Sequence, residues 1–230
     1  MKYDQKILII RFSSIGDIVL STSPLRTIRE TYPKSEITFL TLDVYAPLLH
    51  FHPDLDVLIT MKRKSSLYSI YMYSKFLRAK KYSIVFDLHN SLRSKLVTLS
   101  LRRKVKKIIK PRLSRFLLFY LFYNNFNNSF SVPRMYHFFI KNNFDEKVEF
   151  PKTFLKITRN ESKNSLSTIR LCGIDKPYFV IIPGAAWTQK CWDKNKYIKL
   201  INLLKRPVVL LGLKSDLICF EISKISQKVI

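Results

Sequence analysis

Asp17 closes the segment Lys6-Ile-Leu-Ile-Ile-Arg-Phe-Ser-Ser-Ile-Gly-Asp17. The apolar run Ile7 to Ile10 reads as a buried strand, Ser13 to Gly16 as a small polar turn, and Asp17 as the opening of a helix. A carboxylate at such a turn lies outside the carboxyl end of a strand, where open α/β sheets bind their ligands. The positive end of the helix dipole favours its ionised form. That makes Asp17 a candidate base, able to take a proton from a bound hydroxyl. The same residue at the same place also caps helices by accepting backbone N–H bonds, and position alone leaves both roles open.

Other strand ends carry polar side chains. In Asp87-Leu-His-Asn-Ser-Leu-Arg-Ser94, His89, Asn90, Ser91 and Arg93 could bond a polar ligand, or Asn90 or Ser91 could cap the next helix. In Pro183-Gly-Ala-Ala-Trp-Thr-Gln-Lys-Cys-Trp192, small residues let a ligand approach the backbone. Thr188 and Lys190 there supply a hydroxyl and a cation suited to a diphosphate. Lys62-Arg63-Lys64 follows a third strand, either as a solvated face or as an anion contact. His50 and His52 have no third ligand near them in sequence and Pro53 beside them, so no metal site is expected. Four scattered histidines offer no Ser-His-Asp arrangement.

The elements that must position these residues alternate. Strands are expected at 6–10, 36–42, 56–60, 82–88, 106–109, 178–182 and 207–211, several as unbroken apolar runs of the kind buried in parallel sheets. Helices are expected from Asp17 with an interruption at Pro24, and at 67–80, 92–103, 114–124, 134–143, 161–172, 194–205 and 215–226. Gly173 follows one of them as a helix stop does. The polar stretch 142–160 is read as a boundary, giving a doubly wound α/β domain over 1–150 and the first part of a second over 151–230. The second has two readable strands, and the chain is expected to be cut short within it.

Composition narrows the partners. The chain has 41 Lys and Arg against 16 Asp and Glu, a formal charge of +25. From Met61 to Arg115 there are 17 Lys or Arg and one acid, Asp87. Such a surface suits polyanions: nucleic acid, anionic headgroups or phosphorylated glycans. Gly is scarce, with 4 in the chain, so a G-x-G-x-x-G phosphate loop is absent. Cys172, Cys191 and Cys219 show no metal or redox spacing and read as thiols of a reducing compartment. With no signal peptide and no membrane-spanning run, a cytoplasmic protein is expected. The apolar run Phe116–Tyr123, preceded by Lys110, Arg112 and Arg115, reads as a core helix between domains or as a helix lying in a membrane interface, with the core favoured.

Three landmarks in order, Lys6–Pro33, Phe86–Ser94 and Pro183–Trp192, resemble glycosyltransferase family 9, the lipopolysaccharide heptosyltransferases. The resemblance implies a GT-B fold of two Rossmann-like domains, the second incomplete here. It implies inverting, metal-independent transfer of a heptose from ADP-heptose to the Kdo–lipid A inner core of lipopolysaccharide, with no cofactor, by a cytoplasmic enzyme peripheral to the inner membrane. Asp17 matches the family's base, and Asp17→Asn is expected to abolish transfer with little loss of stability. Thr188 and Lys190 match the donor diphosphate site, and Asp216 falls near a donor ribose contact. Lys62, Arg63 and Lys64 match an acceptor-facing basic stretch, joined by His89, Asn90 and Arg93. The family's later Asp-(Thr/Ser)-Gly…His segment has no match. An inactive truncated remnant, or a basic protein for nucleic acid or other polyanions, are the alternatives; no RNP, helix-turn-helix or zinc pattern supports nucleic acid.

Overall fold

β1 (Gln5–Ile10) buries Ile7 and Ile9 on one face and Leu8 and Ile10 on the other. A strand with four successive apolar positions belongs in the middle of a sheet covered on both sides, and that is where β1 lies. A computed structural model describes residues 3–101, 103, 105–127, 129–141, 149–185, 188–213 and 216–225. It divides into two compact units, Met1–Lys156 and Ile157–Ile230.

In the first unit, β1 is joined by β2 (Ser35–Leu42), β3 (Val57–Met61), β4 (Ile84–Asp87) and β5 (Val105–Lys107) in a parallel sheet of order β3-β2-β1-β4-β5. The order reverses between β1 and β4, so the loops leaving these two strands diverge and leave a crevice at the sheet's carboxyl edge. α1 (Ile15–Thr31) and α5 (Val132–Ile140) cover the face holding Ile7, Ile9 and Phe86. α2 (Leu67–Ala79) and α3 (Leu92–Thr98) cover the face holding Leu8, Ile10 and Val85.

α1 runs through Pro24 as one element. The interruption expected there is absent; Ser21 and Thr22 hydroxyls donate to the Ile18 and Val19 carbonyls in the turn before the proline. α3 ends well before residue 103, as Leu101 N–H closes a turn onto Thr98 O ahead of β5. A 3-10 turn, Asp43–Leu48, follows β2, where the residue pattern predicts neither helix nor strand. The largest departure is α4 (Arg112–Tyr120). It contributes no buried residue, so the expectation of a core helix is wrong, and Phe119 and Tyr120 are 70% and 72% exposed.

Residues 151–154 return along α1: Ser23 Oγ donates to Pro151 O, and Phe154 N–H donates to Thr22 Oγ1 at 2.9 Å. Beside them His137 is fully buried on α5. Its Nε2 lies 2.7 Å from Ser23 Oγ, its Nδ1 2.7 Å from Thr27 Oγ1, and its ring stacks on Phe150. Burial pushes its pKa down to about 4. The unfolded chain therefore takes up this proton near pH 6.5 while the native state does so only near 4. His137 is expected to remove about 3 kcal/mol of stability as pH falls across that window. Denaturant titrations at stepped pH should show the loss, and His137→Gln should make it shallower by that amount.

The second unit begins with α6 (Arg159–Leu171), whose Thr158 and Glu161 cap each other reciprocally. Gly173 ends it at φ 75°, in the left-handed region open to glycine. β6 (Phe179–Ile181) and β7 (Val208–Leu210) pair in parallel. α7 (Lys194–Leu203) and α8 (Leu217–Ile225) complete a small core around Ile201, Val208 and Ile222. Among the described residues no helix is long and apolar enough to cross a membrane, and no cluster of three His, Cys, Asp or Glu could hold a metal. Cys172, Cys191 and Cys219 form no disulfide among the described residues.

Candidate active site

Arg11 leaves β1 as a buried cation, and its bonds organise the crevice. Its Nε donates to Ser13 O at 2.9 Å, its Nη1 to Leu88 O at 2.5 Å, and its Nη2 lies 2.7 Å from Asp17 Oδ2. One guanidinium thus ties the turn after β1 to the loop after β4. Asp17 Oδ2 also accepts from Ser14 N–H and Ser14 Oγ, each at 3.0 Å. The capping role posed by the sequence is therefore real, and it occupies one carboxylate oxygen. Oδ1 has no partner among the described residues. Partial burial raises the Asp17 pKa, but the Ser14 N–H and the Arg11 charge lower it more, and the net shift is downward. Asp17 is ionised at neutral pH.

A cavity of about 330 Å³ opens over this carboxylate, lined by Arg11, Ser13, Asp17, His89, Lys110 and Arg115 among others. A second, of about 400 Å³, shares Ser13 and His89 and is lined by Arg63, Lys64 and Arg93. Arg93 Nη2 donates to Arg63 O at 2.8 Å, tying the loop after β3 to the start of α3. Four of the six predicted acceptor residues, Arg63, Lys64, His89 and Arg93, therefore gather in one place. Lys62 is exposed and lines neither cavity.

Asn90 lines neither cavity as well. Its Nδ2 donates to Ile108 O at 2.8 Å and its backbone sits at φ 42°, where Asn is better tolerated than most residues. Below it, fully buried Asp87 accepts from His89 N–H (3.0 Å), Asn90 N–H (2.8 Å) and Ser94 Oγ (2.7 Å). Asp87 shapes the loop; His89 faces the cavities. Burial, then the charges of Arg11 and Lys110, push the His89 pKa down to about 4. Its imidazole is neutral at pH 7, with Nδ1 buried and unbonded. Burial and the neighbouring Arg11 and Arg112 also lower the Lys110 pKa. Sequence reasoning did not place Arg11, Lys110 or Arg115 at the site. Lys110 and Arg115 were signalled only by the acid-poor run and by their place before Phe116–Tyr123, and Arg11 only by its place in the segment Lys6–Asp17.

Residues 70–221, about two thirds of the chain, match the model of glycosyltransferase family 9 (heptosyltransferase). The chain belongs to glycosyltransferase family 9. It is 23% identical over 206 residues to lipopolysaccharide heptosyltransferase 3 of Escherichia coli K12, across 83% of this chain and 57% of that one. It is 28% identical over 234 residues to lipooligosaccharide heptosyltransferase 2 of Haemophilus ducreyi, across 94% and 66%. The chain thus spans well under the full length of the curated relatives it matches. Among solved structures it resembles a family 9 glycosyl transferase of Veillonella parvula, with a TM-score of 0.78 at 17% identity over 97% of this chain and 66% of that one. It also resembles E. coli ADP-heptose lps heptosyltransferase II, with a TM-score of 0.68 at 22% identity over 96% and 69%. The fold is GT-B, and this chain covers part of it.

The family 9 landmarks of the second unit lie at the carboxyl ends of β6 and β7. Thr188–Lys190 form a 3-10 turn after β6, with Lys190 exposed. The Thr188 side chain and residues 186–187 lie outside the described residues. Asp216 Oδ2 accepts from Leu213 N–H at 2.8 Å. The same oxygen would lie 2.7 Å from a Cβ placed on Gly184 and 3.2 Å from one on Gly212, which would also meet Cys219 Sγ at 2.5 Å. Asp216 thus packs between the two strand ends where only glycine fits. Gly212→Ala is expected to cost about 1–3 kcal/mol, the usual penalty of overpacking, measurable as a lower denaturation midpoint.

Proposed function

We propose that the chain transfers a heptose from ADP-heptose to the phosphorylated inner core of lipopolysaccharide, at the cytoplasmic face of the inner membrane. The observation that carries the proposal is an ionised Asp17 with one oxygen anchored and the other unbonded, in a crevice lined by cations. Asp17 Oδ1 takes the proton of the acceptor hydroxyl as that oxygen attacks the anomeric carbon from the face opposite the diphosphate. The anomeric C–O bond breaks, its electron pair leaves with ADP, and configuration inverts. Lys190, with Thr188, neutralises the leaving diphosphate in place of a metal ion; Asp216 contacts the donor ribose.

On the acceptor side, Arg63, Lys64 and Arg93 in one cavity and Lys110 and Arg115 in the other hold acid groups of the core sugars. His89, neutral between them, orients a hydroxyl rather than a charge. The first unit is thus the acceptor half and the second the donor half.

The test separates the halves. A lipid-free phosphorylated core saccharide is expected to bind by calorimetry, weakening as salt rises. ADP-heptose is expected to raise the thermal midpoint by mass action. Together they should yield a product heavier by one heptose. No saccharide binding at millimolar concentration overturns the acceptor assignment, and no response to ADP-heptose overturns the donor one.

A further inference from the structure

α4 does two things at once. On one side, Lys110 just before it and Arg115 within it line the cavity over Asp17. On the other it holds apolar side chains in water: Leu113, Phe116, Phe119 and Tyr120 are 51–72% exposed, and Leu121, Phe122 and Tyr123 just after it are 60–90% exposed. Phe116 and Tyr120 lie one turn apart with ring centroids at 5.0 Å, so the surface is continuous rather than scattered. At its end Phe122 takes φ 51°, a backbone region unfavourable for a bulky residue, and is 90% exposed. A patch of seven neighbouring large apolar residues exceeds what a soluble surface carries without a partner.

The surrounding charge says which partner. From Leu88 to Phe144 the sequence contains 12 Lys or Arg and no Asp or Glu. Five of these cations lie on or just before α4: Lys110 and Arg115 line the cavity, while Lys106, Lys107 and Arg112 are exposed and able to meet a surface. An apolar protein partner would leave such a collar unpaired. An anionic bilayer takes both parts: aromatic rings enter at headgroup level, and cations stay on the phosphates. A helix of 9 residues is about 14 Å long, against a hydrocarbon core of about 30 Å. It lies on the membrane and does not span it.

We infer that α4 and Leu121–Tyr123 form a docking surface for an anionic phospholipid bilayer, which brings the cavity of Asp17 to the membrane plane. The inference rests on the acceptor reading above, because a lipid-anchored acceptor is held in that plane. It adds the element that meets the lipid. Capture then acts on the acceptor's accessibility rather than on its chemistry.

Vesicle flotation of the full chain tests it. The chain is expected to float with vesicles of phosphatidylethanolamine and phosphatidylglycerol and to remain behind with phosphatidylcholine alone. Phe119→Ser/Phe122→Ser should lower partitioning about tenfold, as expected for removing two interfacial rings, with an unchanged thermal transition because both rings are exposed. Tyr71→Ser/Phe76→Ser, on the exposed side of α2, is the control and should partition like the unsubstituted chain.

Equal flotation of the α4 variant overturns the inference, and so does an equal loss from the α2 variant. A lipid-independent dimer that dissociates in the α4 variant also overturns it, since the surface would then belong to a second copy. The α4 variant should bind the lipid-free core saccharide like the unsubstituted chain. If the unsubstituted chain binds no saccharide yet the α4 variant alone loses flotation, the acceptor reading fails and the docking surface stands.

Discussion

Asp17→Asn is expected to lower kcat by about 10²–10⁴-fold, the usual worth of a positioned general base, with acceptor KM changed only a few-fold. An amide keeps the shape and still accepts from Ser14 N–H, so the crevice survives while proton uptake does not. The substitution also separates Arg11 from its carboxylate. Arg11 is 6% exposed, and a buried cation without a partner is costly. The carboxylate side chain is 35% exposed, and water screens part of the pair, which brings the expected loss to about 1–2 kcal/mol. The sequence-based expectation of little loss therefore needs correcting.

The pH dependence follows from the lowered pKa. The carboxylate's contribution to stability is complete above the ordinary carboxylate range and disappears as pH falls through the depressed native value. Likewise, the acid limb of kcat/KM should fall below that range. Single-turnover rates of Asp17→Asn within tenfold of the unsubstituted chain would show that the base lies elsewhere.

Asp87→Ala should be the most damaging single change to the fold of the first unit, at about 3–5 kcal/mol. The residue is fully buried, and its removal leaves His89 N–H, Asn90 N–H and the Ser94 hydroxyl without an acceptor. Each stranded donor costs about 1–3 kcal/mol, less whatever water recovers. Asp87→Asn keeps an oxygen for the two backbone donors, and the Ser94 hydroxyl can turn to accept from the new amide, so about 1 kcal/mol is expected. Urea midpoints for the pair test this. Equal effects of Ala and Asn would mean that shape, not hydrogen bonding, is what Asp87 supplies.

The parallel sheet could be read from β1, since an unbroken apolar run fits only a strand covered on both faces. The roles of Asp17 could not be separated by position because the residue divides them between its oxygens: Oδ2 caps α1, and Oδ1 is left unbonded over the cavity. Asn90 looked like a ligand contact, yet its side chain bonds inward to Ile108 O. A polar side chain at a strand end reads the same whether it faces a ligand or its own loop. Lys110 and Arg115 were invisible as site residues because they reach Asp17 from about a hundred residues away. α4 was misread because an all-round apolar pattern implies burial only when something covers it.

The bond from Arg11 to Leu88 O also has a temporal meaning. It joins the first strand of the chain to the end of the fourth, 77 residues later. Contacts so far apart in sequence close late, after nearer pairings have formed. During synthesis, β1 can pair with β2 once residue 42 is made, but its other edge stays open until β4 leaves the ribosome. Asp17 is therefore made about 70 residues before the strand end that completes its working geometry.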